Sequence, residues 1–104
     1  MGEHIRGVRI SKGLLLREIA AGLAIDPSLL SRIERGEKRP TREQVVQIAR
    51  LLGADKDELL AIYLSDRLLY ELKGERLALR AIRIAEERIA YGSGKKRRRG
   101  GIPG

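Results

Sequence analysis

The sequence contains no cysteine, no tryptophan and no phenylalanine, and it has only one histidine. This composition excludes several classes of protein. Without cysteine there is no disulfide framework and no thiolate chemistry, which fits a reducing compartment and leads us to expect a cytoplasmic protein. No apolar run approaches the ~18 residues that a membrane-spanning helix needs. The opening "MGEHIRGVRISKG" also lacks the apolar stretch of a secretory signal.

Signatures of catalysis and cofactor binding are missing as well. The histidine, His4, has no nucleophile or metal-ligand partner at a characteristic spacing, and no glycine-rich phosphate loop occurs. The carboxylates fall at helix caps or beside basic residues at helical spacing. We therefore expect no enzymatic activity, no metal and no cofactor.

Basic residues are abundant, 22 against 14 acidic ones, and they are unevenly distributed. Residues 1–56 carry eleven basic and seven acidic groups, residues 57–91 carry six and seven, and residues 92–104 carry five and none. A basic first half and a basic C-terminal segment suggest a polyanionic partner. The alternative is a solvated surface, and composition alone does not separate the two.

Glycines follow five apolar-periodic runs, where a glycine can end a helix, so the pattern predicts an all-α protein. The expected helices are 3–12, 16–23, 27–35, 42–52, 56–73 and 75–91. The third has the best-specified start, because Asp26 suits the N-cap and Pro27 the first helical position. Thr41 with Gln44 predicts a capping box at the fourth helix.

The second and third helices are joined by only the segment from Ala24 to Asp26, so they must cross steeply. A small side chain is needed at such a crossing, and Ala20 supplies it. An ordinary helical hairpin with an apolar stripe is the alternative. The expected core of the first five helices comprises Ile10, Ile19, Leu23, Leu30, Ile33, Val46, Ile48, Leu52 and Leu59.

The stretch "LREIAAGLAIDPSLLSRIERGEKRPTREQVVQIARLLGADKDELL" resembles the Cro/cI-type helix-turn-helix domain, also called the XRE family. The resemblance runs from about Ile5 to Leu60, and "LSRIERG", "RPT" and "IARLLGAD" together carry it. It implies a five-helix, lambda-repressor-like domain whose third helix enters the major groove of DNA. It also implies a transcriptional repressor or activator.

The same resemblance assigns contacts along and after the third helix. Base contacts fall on Pro27, Ser28, Leu29 and Arg32, with Arg32 able to pair bidentately with guanine. A structural ion pair joins Arg9 to Glu34. Contacts to the DNA backbone fall on Arg17, Ser31, Arg35, Lys38, Arg39 and Arg42.

Three positions depart from the family's pattern. Leu15 and Leu16 stand where the family often has a serine or threonine and then a glutamine, so a cap and a polar contact to phosphate are missing. Ala24 stands where the family often has glycine, and a positive φ there would cost roughly 1 kcal/mol.

The second half, residues 61–91, predicts a helical hairpin joined at "KGE". It carries more apolar surface than a small domain can cover, which usually means association. We expect a homodimer, although folding back to enlarge one core is the alternative. The expected interface comprises Leu68, Leu69, Leu72, Ile82 and Ile89.

In this interpretation residues 92–104 form a flexible basic tail. The tail either contacts DNA phosphates or a minor groove, or only keeps the chain soluble. The sequence as a whole predicts a DNA-binding repressor that acts as a dimer on a palindromic operator. Two alternatives remain open. In the first, the chain is the DNA-binding antitoxin of a toxin–antitoxin pair, and in the second it is a protein-bridging adaptor.

Overall fold

The computed structural model describes the backbone of residues 1–98 and the side chains of residues 1–92. This part of the chain contains six α-helices and no strand, which confirms the predicted all-α class. The helices are α1 (Gly2–Ser11), α2 (Leu16–Leu23), α3 (Pro27–Glu34), α4 (Arg42–Leu52), α5 (Lys56–Glu71) and α6 (Ala78–Arg98).

Only the last helix differs substantially from its expected bounds. It was expected to end before Gly92, yet α6 continues through that glycine to Arg98. Each glycine in a helix interior costs about 1 kcal/mol, so Gly92 and Gly94 weaken α6 at this point but do not end it. Residues 99–104, the end of the expected tail, lie outside the described residues.

The helices divide into two compact units, Met1–Leu69 and Tyr70–Gly104. The first unit holds α1 to α4 and most of α5, and the second holds the end of α5 together with α6. The division thus falls within α5, after Leu69, whereas the sequence-based boundary lies between residues 60 and 61. The dimerisation role expected for residues 61–91 stays a prediction.

The core of the first unit forms where α2 packs against α3 and α4 and where α1 packs against α3. Ala20 is completely buried at the expected crossing of α2 and α3. The buried apolar side chains are Ile5, Ile19, Ala20, Leu23, Leu30, Ile33, Val45, Ile48, Ala49, Leu52 and Leu59.

Two residues of the expected core lie elsewhere. Ile10 is 52% exposed, and Ile5 is the buried isoleucine of α1. Val46 is half-buried, and its neighbour Val45 is fully buried. On α4 the buried positions follow the i, i+3, i+4, i+7 spacing that starts at Val45, so Val46 falls one position off that stripe.

Helix α4 is secured at both ends. At its start Gln44 donates its backbone N–H to Thr41 Oγ1 at 3.1 Å, and Thr41 N–H donates to Gln44 Oε1 at 2.9 Å, which is the expected capping box. At its end Lys12 Nζ donates to the carbonyl oxygens of Leu52 and Gly53, at 2.6 and 3.1 Å. A cation at this end also interacts favourably with the helix dipole.

Candidate nucleic-acid interface

The turn between α2 and α3 depends on one strained residue. Ala24 has φ 57° and ψ 41°, in the left-handed region that non-glycine residues rarely adopt. The N–H of Ile25 donates to Ala20 O at 3.0 Å, which closes the end of α2. The turn is therefore as tight as the sequence predicts, and alanine occupies a position that favours glycine.

Helix α3 begins at a well-formed cap. Asp26 Oδ1 accepts the backbone N–H of Ser28 at 2.8 Å and its hydroxyl at 2.7 Å. These two hydrogen bonds, the one from the hydroxyl first, hold the pKa of Asp26 below its ordinary value. Because the hydroxyl hydrogen points toward a carboxylate, Ser28 presents only acceptor lone pairs to solvent.

The opposite side of α3 is anchored in the core. Leu30 and Ile33 are buried, and the side chain of Glu34 is only 4% exposed. Arg9 donates to both carboxylate oxygens of Glu34, from Nε at 2.8 Å and from Nη2 at 3.0 Å, so the expected ion pair is present. The hydrogen bonds that Arg9 donates to Glu34 raise the pKa of Arg9 above its ordinary value.

Close approach of α1 reinforces this anchor. Gly2 is buried against the end of α3, and a Cβ added there would collide with the backbone oxygens of Ile33 and Glu34. The first turn of α1 therefore requires glycine for packing. Sequence reasoning did not single out this residue, because a steric requirement between distant segments leaves no local pattern.

The outward edge of α3 carries the residues expected to contact bases. Pro27, Ser28 and Arg32 are exposed, and Ser28 and Arg32 lie four positions apart on one helical face. The Arg32 guanidinium makes no hydrogen bond or ion pair with any described residue. Leu29 packs partly against the core, which leaves only part of its side chain accessible.

The candidate backbone contacts lie on α2, on α3 and between the end of α3 and the start of α4. Ser31 is half-buried. The other five are exposed, and they are Arg17, Arg35, Lys38, Arg39 and Arg42. Arg35 is already engaged, donating from Nε and Nη2 to Glu37 at 2.9 and 3.2 Å and from Nη1 to Ser31 Oγ at 2.6 Å. Arg35 in turn lowers the pKa of Glu37, chiefly by hydrogen bonding, and the charge of Arg32 contributes.

Glu37 was not identified from the sequence. It stands two residues beyond Arg35, across Gly36, which has φ 78° and turns the chain back toward α3. Gly36 was the sequence signal for this contact, because an acidic side chain just after such a turn can reach back to the end of α3.

The start of α2 shows the consequence of the two leucines. The N–H of Leu15 donates to Glu18 Oε1 at 2.7 Å, which is half of a capping box, and leucine cannot supply the other half. Leu16 packs partly against the core, while Leu15 stays exposed beside Arg17. The apolar surface of Leu15 thus replaces a polar contact at this end of the interface.

The residues expected at the dimer interface differ in exposure. Leu68, Leu69 and Ile89 are exposed, the last two by 63% and 71%, whereas Leu72 and Ile82 are half-buried. Other large apolar side chains are exposed along α5 and α6, among them Leu64, Leu79 and Ile84. Apolar surface is therefore available in both units.

The described residues show neither a metal site nor a membrane-spanning helix. Among the described residues, no group of His, Asp and Glu side chains is placed to hold a metal ion. No helix in the described part of the chain has the length and apolar character to cross a bilayer.

Comparison with known proteins identifies relatives of this fold. The family model described as a helix-turn-helix domain matches residues 1–62. The transcriptional regulator ClgR of Mycobacterium tuberculosis, from strains CDC 1551 / Oshkosh and H37Rv, is 38% identical over 52 residues, which cover 50% of this chain and 46% of theirs. The chain thus matches these curated relatives over about half of their length.

A solved structure is similar over most of the chain. It is the crystal structure of the clp gene regulator ClgR from Corynebacterium glutamicum, which is 28% identical with a TM-score of 0.55 and covers 88% of this chain and 87% of its own. The family match spans the helices that build the interface described above, α1 to α4 and the start of α5. The chain therefore belongs to the helix-turn-helix domain family.

Proposed function

We propose that this chain is a transcriptional regulator that binds duplex DNA sequence-specifically, as a homodimer, with α3 in the major groove. The observation that carries the proposal is that α3 is anchored in the core on one side and exposes polar side chains on the other. Glu34 and two buried apolar residues fix α3 from behind, while Ser28 and Arg32 face outward. The names of the relatives support it, since both ClgR proteins are described as regulators.

Two side chains on this edge can read different base edges. Arg32 makes no hydrogen bond or ion pair with a described residue, so it can donate bidentately to guanine O6 and N7. Ser28 donates its hydroxyl hydrogen to Asp26 and so can accept from the amino group of cytosine or adenine. Pro27 has no donor and shapes the approach of the helix to the groove.

The surrounding cations supply affinity and orientation. Arg17, Lys38, Arg39 and Arg42 are exposed and suit contacts with phosphates, which carry little sequence information. Ser31 and Arg35 act there as a hydrogen-bonded pair. This division predicts that affinity depends steeply on salt, while base preference depends on the few residues of α3.

Dimerisation follows from the exposed apolar side chains of α5 and α6. Residues 57–91 carry six basic and seven acidic groups, so two copies of this region can associate without net repulsion. A twofold dimer would present two α3 helices about one DNA turn, ~34 Å, apart on a palindromic operator. We propose repression, since occupancy of a promoter by such a dimer is sufficient to block transcription.

Selection of binding sites from a random duplex pool tests this function. We expect an inverted repeat, and we expect two chains per selected duplex by sedimentation. DNA upstream of clp genes is a suitable defined probe, because the structural relative is described as a clp gene regulator. An adaptor would enrich no sequence, and an antitoxin would require its toxin for tight binding, so either outcome would contradict the proposal.

A further inference from the structure

A cavity of about 350 Å³ lies beside the candidate interface, in the first unit. It forms where the loop after α3, the start of α4 and the middle of α5 meet. We call it the arginine notch, and it is lined by Arg39, Pro40, Thr41, Arg42, Tyr63 and Arg67.

The notch is distinguished by the charge of its lining. Three arginines contribute to it, from the loop, α4 and α5, and no carboxylate does. Two larger cavities of the same unit, of about 850 and 510 Å³, include carboxylates, among them Glu37 in the first and Glu43 in the second. Guanidinium groups match the geometry of phosphate oxygens, so this lining favours a phosphate group.

Arg67 lies near an aromatic side chain of the same helix. Its Cζ lies 6.0 Å from the centroid of the Tyr63 ring, at the distance of a cation–π interaction, and the two residues are four apart on α5. Tyr63 itself packs partly against the core. This contact favours the position of Arg67 beside the notch and so lowers the entropic cost of binding there.

We propose that the arginine notch binds a phosphate group, and that in the DNA complex this is a backbone phosphate contacted by Arg67 on α5. The inference rests on the proposed function and extends it. Arg39 and Arg42 already belong to the candidate backbone contacts, and they share this cavity with Arg67. The DNA-binding surface thus continues beyond the helix-turn-helix elements onto α5.

Duplex affinity measured across a salt series tests the proposed contact between Arg67 and a DNA phosphate. Arg67→Gln should weaken binding to every duplex alike and lower the salt slope by about one unit per chain, while Arg67→Lys should retain most of the slope. The matched control is Arg50→Gln, which removes a charge from an exposed position on α4 outside the notch. Equal slopes for wild type, Arg67→Gln and Arg50→Gln would overturn the proposed contact.

A second readout separates this proposal from the proposed function. Titration with inorganic phosphate, followed by the NMR shifts of Thr41 and Tyr63, should perturb wild type and leave Arg67→Gln unaffected. Phosphate binding without any change in DNA binding would assign the notch to a free phosphorylated ligand and overturn the DNA part. If wild type binds no duplex at all, the proposed function fails, and the phosphate titration still decides whether the notch binds phosphate. If neither the NMR shifts respond to phosphate nor the salt slope changes, the notch does not bind phosphate and the whole proposal is wrong.

Discussion

Arg9 and Glu34 join α1 to the end of α3 through two parallel hydrogen bonds, of 2.8 and 3.0 Å. The remaining terminal nitrogen of Arg9 donates to the carbonyl oxygen of Leu14 at 2.9 Å, so one guanidinium ties three segments together. Both side chains are largely buried, with exposed fractions of 12% and 4%. The orientation of α3 therefore depends on a charge pair that water hardly reaches.

Glu34→Ala should destabilise the fold by about 3–5 kcal/mol, because it leaves the Arg9 charge buried without its partner. The double variant Arg9→Met/Glu34→Met should recover part of this loss, since it removes both charges at once. Thermal unfolding of the three proteins provides the measurement. A melting temperature for Glu34→Ala equal to that of wild type would show that the pair does not stabilise the fold.

Ala24→Gly should stabilise the protein by about 1 kcal/mol, because glycine adopts the left-handed conformation of this turn without steric cost. The matched control is Ala21→Gly, three residues earlier inside α2, which should destabilise by about 0.5–1 kcal/mol. Urea unfolding should therefore give shifts of opposite sign. Destabilisation by both substitutions would contradict the strain assigned to Ala24.

The sequence predicts most of the fold because its signals are local. The cap at Asp26, the capping box at Thr41 and the tight turn at Ala24 each depend on residues within five positions of one another. Periodicity also locates the buried stripes of α2, α3 and α4 to within one position. Val46 was misplaced because a one-position shift leaves the pattern of α4 almost as regular, whereas on α1 the buried isoleucine is Ile5, five positions before the expected Ile10.

Features that depend on tertiary contacts could not be derived in the same way. The hydrogen bonds of Lys12 to the end of α4 join residues forty or more positions apart, and no local sequence pattern predicts them. The pairing of Arg35 with Glu37 depends on the chain reversal at Gly36. The Arg9–Glu34 pair was expected only because of the family resemblance.

Glu37→Gln should increase affinity for every duplex, most strongly at low salt. The wild-type carboxylate holds Arg35 and would oppose an approaching phosphate, so its removal frees the guanidinium and reduces repulsion. Glu71→Gln, which changes net charge equally at an exposed position on α5, is the control. Fluorescence anisotropy should show a gain for the first variant that clearly exceeds the second, and equal gains would mean that only net charge matters.

Replacing Leu69 and Ile89 with lysine should give a folded monomer that binds the operator much more weakly. Both side chains are exposed in the single chain, so charges there should cost little folding energy but should disrupt an apolar interface. Ile10→Lys places a charge on an exposed isoleucine of α1 and should leave the dimer intact. Analytical ultracentrifugation provides the test, and a wild-type chain that is monomeric at micromolar concentration would rule out this arrangement.

Base reading by α3 is tested most directly by repeating the random-pool selection with Arg32→Ala and Arg39→Ala. Arg32→Ala should lose roughly 1–3 kcal/mol of binding energy and its preference for guanine at one position of each half-site, while the remaining positions stay unchanged. Arg39→Ala should weaken all sequences alike and select the wild-type site. An Arg32→Ala variant that still selects the complete wild-type site, with only a uniform loss of affinity, would contradict the assignment of α3 as the helix that reads DNA.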